Sequence, residues 1–339
     1  MHRRMLVSVG MLGMFWLVST AVTAQAPGAT PKTSAAKGWT LARTPDGQPD
    51  LQGVWSNNTV TPLERPKQFG TRQFLTDEEL TTLKQRAAQL FAGDGDAAFG
   101  DTLFETLLTD TKKFVSRDGR TGDYNQFWLV ERDWNNRTSL ITDPPDGRLP
   151  ALTAEGESRQ AAAAAARQRP AAGPEDRSLS ERCITFGVPR LQAAYNSYYQ
   201  IVQSSGYVAI MMETIHDTRI VPLDNRPHVP QDIRQWHGDP RGHWEGNTLV
   251  VETTNFSPKS NFRGAAENLR LVERFTRVGP DTLNYEVTVT DPTIWTRPWT
   301  AMIPLRRSTD LVYEYECHEG NSGLAGILAG ARAEEKATK

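Results

Sequence analysis

From Tyr198 to Cys317, apolar side chains recur at every second position in one short segment after another. These segments are Tyr198–Gln203, Tyr207–Pro222, Thr248–Phe256, Leu269–Val278, Thr282–Asp291, Trp299–Arg306 and Leu311–Cys317. Ser204-Ser205-Gly206, Glu245-Gly246-Asn247 and Gly279-Pro280-Asp281 separate several of them, and each carries the residues that tight hairpins favour. A period of two places alternate side chains on opposite faces of a strand. Many such strands joined by short turns form an antiparallel meander. The expected fold is therefore mainly β, a barrel-like meander or a sandwich, with two or three accessory helices.

The helices are expected before and between the strands. In Leu75-Thr76-Asp77-Glu78-Glu79-Leu80, Thr76 is placed to cap a helix, Glu79 to complete a capping box, and Leu75 and Leu80 to staple its entry. Gly93-Asp94-Gly95 ends it. A second helix is expected over Asp101–Lys113 and an exposed, alanine-rich one over Thr153–Arg169. Asp50–Trp55 reads as a first strand, Phe127–Trp134 and Arg137–Asp143 as two more, and Pro144-Pro145-Asp146-Gly147 as a turn.

The first 24 residues have the pattern of a secretory leader. Arg3 and Arg4 precede the apolar run Met5–Val22, and Val22-Thr23-Ala24 offers small residues for cleavage. An uncleaved anchor is the competing reading, and the paired arginines also resemble a twin-arginine signal. Residues 25–38 read as a flexible linker, 39–123 as an N-terminal strand with helices packed on the β domain, and 124–339 as that domain with a C-terminal helix. Without Arg3 and Arg4 the 38 basic residues fall to 36 against 40 acidic, a net charge of −4. That balance argues against nucleic acid or an anionic membrane as partner. The expected location is periplasmic or secreted, and there Cys183 and Cys317, the only cysteines, are expected to pair.

Candidate chemistry centres on Tyr207–Pro222. Read as one strand, it places Val208, Ile210, Met212, Thr214, His216 and Ile220 on one face. Tyr207, Met211, Glu213, Asp217 and Arg219 fall on the other, and both faces are mixed. His216 joins His228, His237 and His243 in a cluster beside Asp232, Asp239 and Glu245, a composition suited to acid–base work. His237 and His243 fall in a Gly/Pro-rich stretch and read as loop histidines. His318 follows the last expected strand, and Glu273 alternates with Leu269, Leu271 and Phe275. A carboxylate on such an apolar face is either a base with a raised pKa or one half of a buried pair with an arginine. Tyr198 and the run Trp295-Thr296-Arg297-Pro298-Trp299 supply aromatic faces and a cation suited to planar ligands. No nucleophile elbow, dinucleotide fingerprint, P-loop or zinc motif is present, so no cofactor and no metal are expected.

Four strings spread along the chain resemble, taken together, an uncharacterised family of exported bacterial proteins. They are Pro49-Asp50-Leu51-Gln52-Gly53-Val54-Trp55, Thr138-Ser139-Leu140-Ile141-Thr142-Asp143-Pro144-Pro145-Asp146-Gly147-Arg148, Trp244-Glu245-Gly246-Asn247-Thr248-Leu249-Val250-Val251 and His318-Glu319-Gly320-Asn321. Gly53-Val54-Trp55 also resembles the first strand of a lipocalin, which implies a ligand-holding barrel. The helices depart from that pattern.

The function expected from these features is acid–base catalysis, of lyase, isomerase or hydratase type, on a small ring-containing molecule inside the barrel. His216 is the expected base, with Asp217 or Glu213 orienting it. Arg219 would hold an anionic group, and Trp295 and Trp299 would stack on the ring. A non-catalytic periplasmic carrier and a structural envelope protein are the alternatives.

Overall fold

Alternation becomes hydrogen-bonded ladders along most of the expected segments. The computed structural model describes residues 38–92, 100–109, 132–191 and 196–337. The expected leader, nearly all of the linker, the Gly93-Asp94-Gly95 helix stop, the end of the second expected helix and most of the 127–134 segment lie outside them. In chain order the strands are β1 (Gly53–Ser56), β2 (Ile141–Asp143), β3 (Tyr198–Ser204), β4 (Tyr207–Met212) and β5 (Thr218–Pro222). They continue with β6 (Asp239–Glu245), β7 (Thr248–Thr254), β8 (Arg270–Gly279), β9 (Thr282–Thr290) and β10 (Trp299–Ser308). The helices are α1 (Asp77–Phe91), α2 (Gly100–Leu108), α3 (Ala154–Arg167) and α4 (Ser322–Ala337).

The strands form one antiparallel sheet in the order β5-β4-β3-β1-β10-β9-β8-β7-β6, with β2 added to β10. Two meanders, β3 to β5 and β6 to β10, are spliced by β1, which pairs with β3 on one side and β10 on the other. In β9 the pleat is plain: Leu283, Tyr285, Val287 and Val289 are buried, and the residues between them are half-buried. Each such side chain contributes roughly 1.5–3 kcal/mol on burial.

The sheet curls until its edges meet side by side without a ladder. Gly242 of β6 sits where an added Cβ would lie 2.7 Å from Val221 Cγ1 and 2.7 Å from Leu223 Cδ2. No hydrogen-bonded pairing joins β5 to β6, so the barrel expected from the sequence is an open one.

The interior is filled by side chains around a buried ion pair. Arg219 of β5 donates from Nη1 to Glu273 Oε2 of β8 at 2.5 Å and from Nη2 to Oε1 at 2.9 Å. The Tyr285 hydroxyl donates to the same Oε1 at 2.8 Å. Phe275 stacks on Tyr285 with ring centres 4.7 Å apart, and Tyr199 closes on it at 6.3 Å. Burial alone would lower the pKa of Arg219, but the carboxylate of Glu273 holds it above its ordinary value. Burial, then the charge of Glu273, raises Tyr285 well above the usual phenol value.

The segment expected as one strand over Tyr207–Pro222 is two. Between β4 and β5 the chain turns through Thr214–His216, with Ile215 and His216 at φ 58° and 55°. Neither residue favours that left-handed region, and a β-branched one least of all. Buried polar groups hold the turn: Thr214 Oγ1 donates to the Asn196 carbonyl and accepts from Arg190 Nη1, both at 2.7 Å. The turn reverses the phase, so Arg219 and Val221 point inward with Val208 and Ile210, and Ile220 faces out.

Two further corrections concern strands. Residues 311–317 lie in no strand, and Leu311 and Tyr313 are exposed. The stretch read as a Gly/Pro-rich loop contains β6, which carries His243.

The helices follow the sequence closely. Thr76 Oγ1 accepts from the Glu79 amide at 3.2 Å and Glu79 Oε2 accepts from the Thr76 amide at 2.8 Å, the expected capping box. α1 and α2 pack together through Leu83, Ala87, Leu103, Phe104 and Leu107 in a small core of their own. Among the described residues no helix is long and apolar enough to cross a membrane.

The ion pair generates a test. Arg219→Ala or Glu273→Ala leaves a buried charge unpartnered and should cost about 3–5 kcal/mol, read from the urea midpoint. The double variant Arg219→Met with Glu273→Leu should be more stable than either single one. Additive losses in the double variant would show that the two groups do not act as a pair.

Candidate functional site

Three stretches of chain, none of them a strand, line an open pocket of about 580 Å³. The segment before β3 contributes residues from Glu175 to Val188, the segment before β6 contributes Trp236, and the β7–β8 connection contributes Phe256, Lys259, Phe262 and Leu269. The volume is within the range of small-molecule sites.

Short-range hydrogen bonds shape each wall. Lys259 stands on a turn closed by the Ser260 amide donating to the Ser257 carbonyl at 2.9 Å. Ser260 Oγ ties that turn to the Trp236 carbonyl at 3.0 Å. On the other side the Phe186 ring is 43% exposed, so it offers a face to the pocket while Arg190 lies 4.7 Å over the ring. Loss of water around Arg190 lowers its pKa.

Behind the Thr185 wall lies a compact polar cluster. Thr185 Oγ1 donates to Asp217 Oδ2 at 2.7 Å, and the Phe186 amide donates to the same oxygen at 3.1 Å. His237 Nε2 is 2.6 Å from Thr185 Oγ1 and 3.3 Å from Asp217 Oδ1. The Gly187 amide donates to Thr185 Oγ1 at 2.7 Å. With the hydroxyl proton committed to Asp217, this network makes His237 Nε2 a donor. Thr185 then donates once and accepts twice, which leaves its oxygen no free lone pair for attack. The cluster fixes the wall and does not activate a nucleophile.

The residues singled out in the sequence are distributed differently. His216 is exposed, and its Nε2 accepts from the Tyr315 amide at 2.8 Å. Asp217 is buried and bonded to the Thr185 segment, so the histidine beside its carboxylate is His237. Glu213 is buried in the β4–β5 turn, where its Oε2 accepts from the Tyr198 amide at 3.5 Å. Burial raises the pKa of Glu213, and hydrogen bonds from the Tyr198 and Tyr313 backbone offset this only in part. Glu273 and Arg219 are partners of each other inside the sheet. His318 is exposed, next to Cys317 and ahead of α4. None of these lines the pocket.

The aromatic candidates are mostly core. Trp295 and Trp299 are buried and meet edge to face at 5.6 Å, and both pack on Phe262, the ring that reaches the pocket. Arg297 is exposed and pairs with Asp143 at 2.7 Å. The Tyr198 hydroxyl donates to Asp310 at 3.1 Å, and burial first, then Asp310, pushes its pKa up to about 12. Among the described residues no group of three or more His, Cys, Asp or Glu side chains is placed to hold a metal ion.

Cys183 and Cys317 have their sulfurs 2.01 Å apart, at disulfide distance. The link fastens the pocket segment to the stretch before α4. Asn321 reinforces it by donating to the Glu181 carbonyl at 3.3 Å. Thr185, Phe186, Lys259 and Phe262 went unrecognised in the sequence. The signal available was His237, adjacent to Trp236 inside the histidine cluster.

Comparison with known protein families, curated proteins and solved structures finds no match to this chain.

Two outcomes follow from this geometry. Because the folded state raises the Glu213 pKa above 4.5, the protonated form is the more stabilising one. Stability should therefore fall as pH rises from 4.5 through the raised value, and Glu213→Gln should flatten that slope in urea titrations. An equal slope in the variant would remove Glu213 as its source. The double variant Cys183→Ser with Cys317→Ser opens a loop spanning 134 positions and should lose about 2–5 kcal/mol. An unchanged denaturation midpoint would show that the link does not constrain the fold.

Proposed function

We propose that the protein is an exported small-molecule-binding protein whose ligand lies in the pocket between Phe186, Trp236 and Phe262. One observation carries this reading: the pocket is lined by aromatic rings, cations and hydroxyls, and none of His216, Asp217, Glu213, Glu273 and His318 lines it. Aromatic faces beside cations and hydroxyls can bind and orient planar molecules that carry a polar group. The interior around Glu273 is filled by Phe275, Tyr285 and Tyr199, which favours a ligand site beside the sheet over one within it. Export accords with the cysteine pair at disulfide distance and with the leader read in the sequence.

Acid–base catalysis is the second reading, and the contact of Asp217 with His237 behind the pocket wall favours it. Its residues would be His237 and Asp217, with His216 outside the set.

The test is a titration of purified protein with planar bicyclic compounds, followed by Trp236 fluorescence and by mass spectrometry of the ligand. Binding is expected to change the emission, Trp236→Phe to abolish the change, and Phe262→Ala to weaken affinity about tenfold, or 1.4 kcal/mol. The ligand should be recovered unaltered. Consumption of the ligand that stops in His237→Ala would establish the catalytic reading instead, and no binding by any compound would overturn both.

A further inference from the structure

Charge around the pocket runs against the charge of the chain. The whole sequence is net −2, yet the lining contains Arg177, Arg182 and Lys259 against a single carboxylate, Glu175. The three cations are not equally engaged. Arg177 is paired with Glu181. Among the described residues Arg182 forms an ion pair only with Glu175, at 4.0 Å, and the Glu175 side chain is 79% exposed. Lys259 forms no ion pair among the described residues, and its exposed side chain rises from the turn beside Phe262.

Building on the binding reading, we infer that the pocket selects an anion carried on a planar ring, with the ring on Phe262 and Trp236 and the anionic group at Lys259 and Arg182. A cation with no carboxylate partner is free to meet a ligand anion without first breaking a bond within the protein. The attraction is strengthened because the apolar walls formed by Phe256, Phe262 and Leu269 reduce solvent screening on one side. A neutral ring would gain only the aromatic contact. A cationic ring would meet the local excess of positive charge. Carboxylate, sulfonate and phosphate groups share the chemistry required, and arginine favours the planar carboxylate because it can hold both oxygens at once.

The experiment compares 2-naphthoate, 2-naphthamide and 2-naphthylmethylamine on the full-length protein by isothermal titration calorimetry. The carboxylate is expected to bind about tenfold more tightly than the amide, and the amine most weakly. Raising the salt concentration should narrow the gap. Lys259→Glu, with folding checked by circular dichroism, should bring the carboxylate-to-amide ratio to one or below. Arg182→Gln should reduce it part of the way. Equal affinities of the carboxylate and the amide, weakened alike in Phe262→Ala, would overturn the anion preference and leave the binding reading intact. A ratio unmoved by Lys259→Glu would overturn the assignment of the cation. Failure of all three probes to bind would overturn the binding reading as well.

Discussion

The contact between Arg219 and Glu273 sets the terms for the rest of the structure. Their strands, β5 and β8, stand six places apart in the sheet order, so the two side chains can meet only if the sheet curls back on itself. Neither charge can be left alone there, because desolvation of an unpaired ion costs several kcal/mol. Two parallel hydrogen bonds and the Tyr285 hydroxyl satisfy the carboxylate. Nε of Arg219 has no hydrogen-bond partner among the described residues. Such a pair specifies curvature and register more than it adds stability. A one-residue slip of β5 would turn Arg219 out and Ile220 in, and Glu273 would face an aliphatic chain.

Much of the sheet was legible in the sequence because its strands keep an uninterrupted period of two. β8, β9 and β10 emerge within a residue or two of their expected bounds. Two departures from the expected strands have different causes. β6 contains Asp239, Pro240, Gly242 and His243, residues that ordinarily mark a loop, and it is a strand because β7 pairs along its whole length. Residues 311–317 alternate well but have no ladder to join, because β10 is already paired on both sides.

The candidate site was much less legible. A turn at Thr214–His216 carries no glycine, proline or asparagine, and it is imposed by Arg190, Asn196 and Thr185, all distant in sequence or unremarkable in type. That one turn decides which of His216 and Arg219 faces inward: Arg219 is buried and His216 is exposed. Glu273 shows the opposite case. Its place on an apolar face already required a buried partner, and the two outcomes left open were a base and an arginine pair. The pocket comes from three irregular stretches that periodicity cannot bring together. His237, read in the sequence as a loop histidine, stands next to Trp236 in that lining.

The seam between β5 and β6 has a consequence for how the sheet opens. Each of these strands has a ladder on one side only, and Gly242 lies against Val221 with nothing but side-chain contact across the gap. β10 is held by β9 along one edge and by β1 and β2 along the other. Backbone amides near the seam are therefore expected to exchange with solvent through small local openings, and those of β10 only when the whole sheet comes apart. The protein has a hinge side and a spine, and the order in which its protons are lost would trace a line from one to the other.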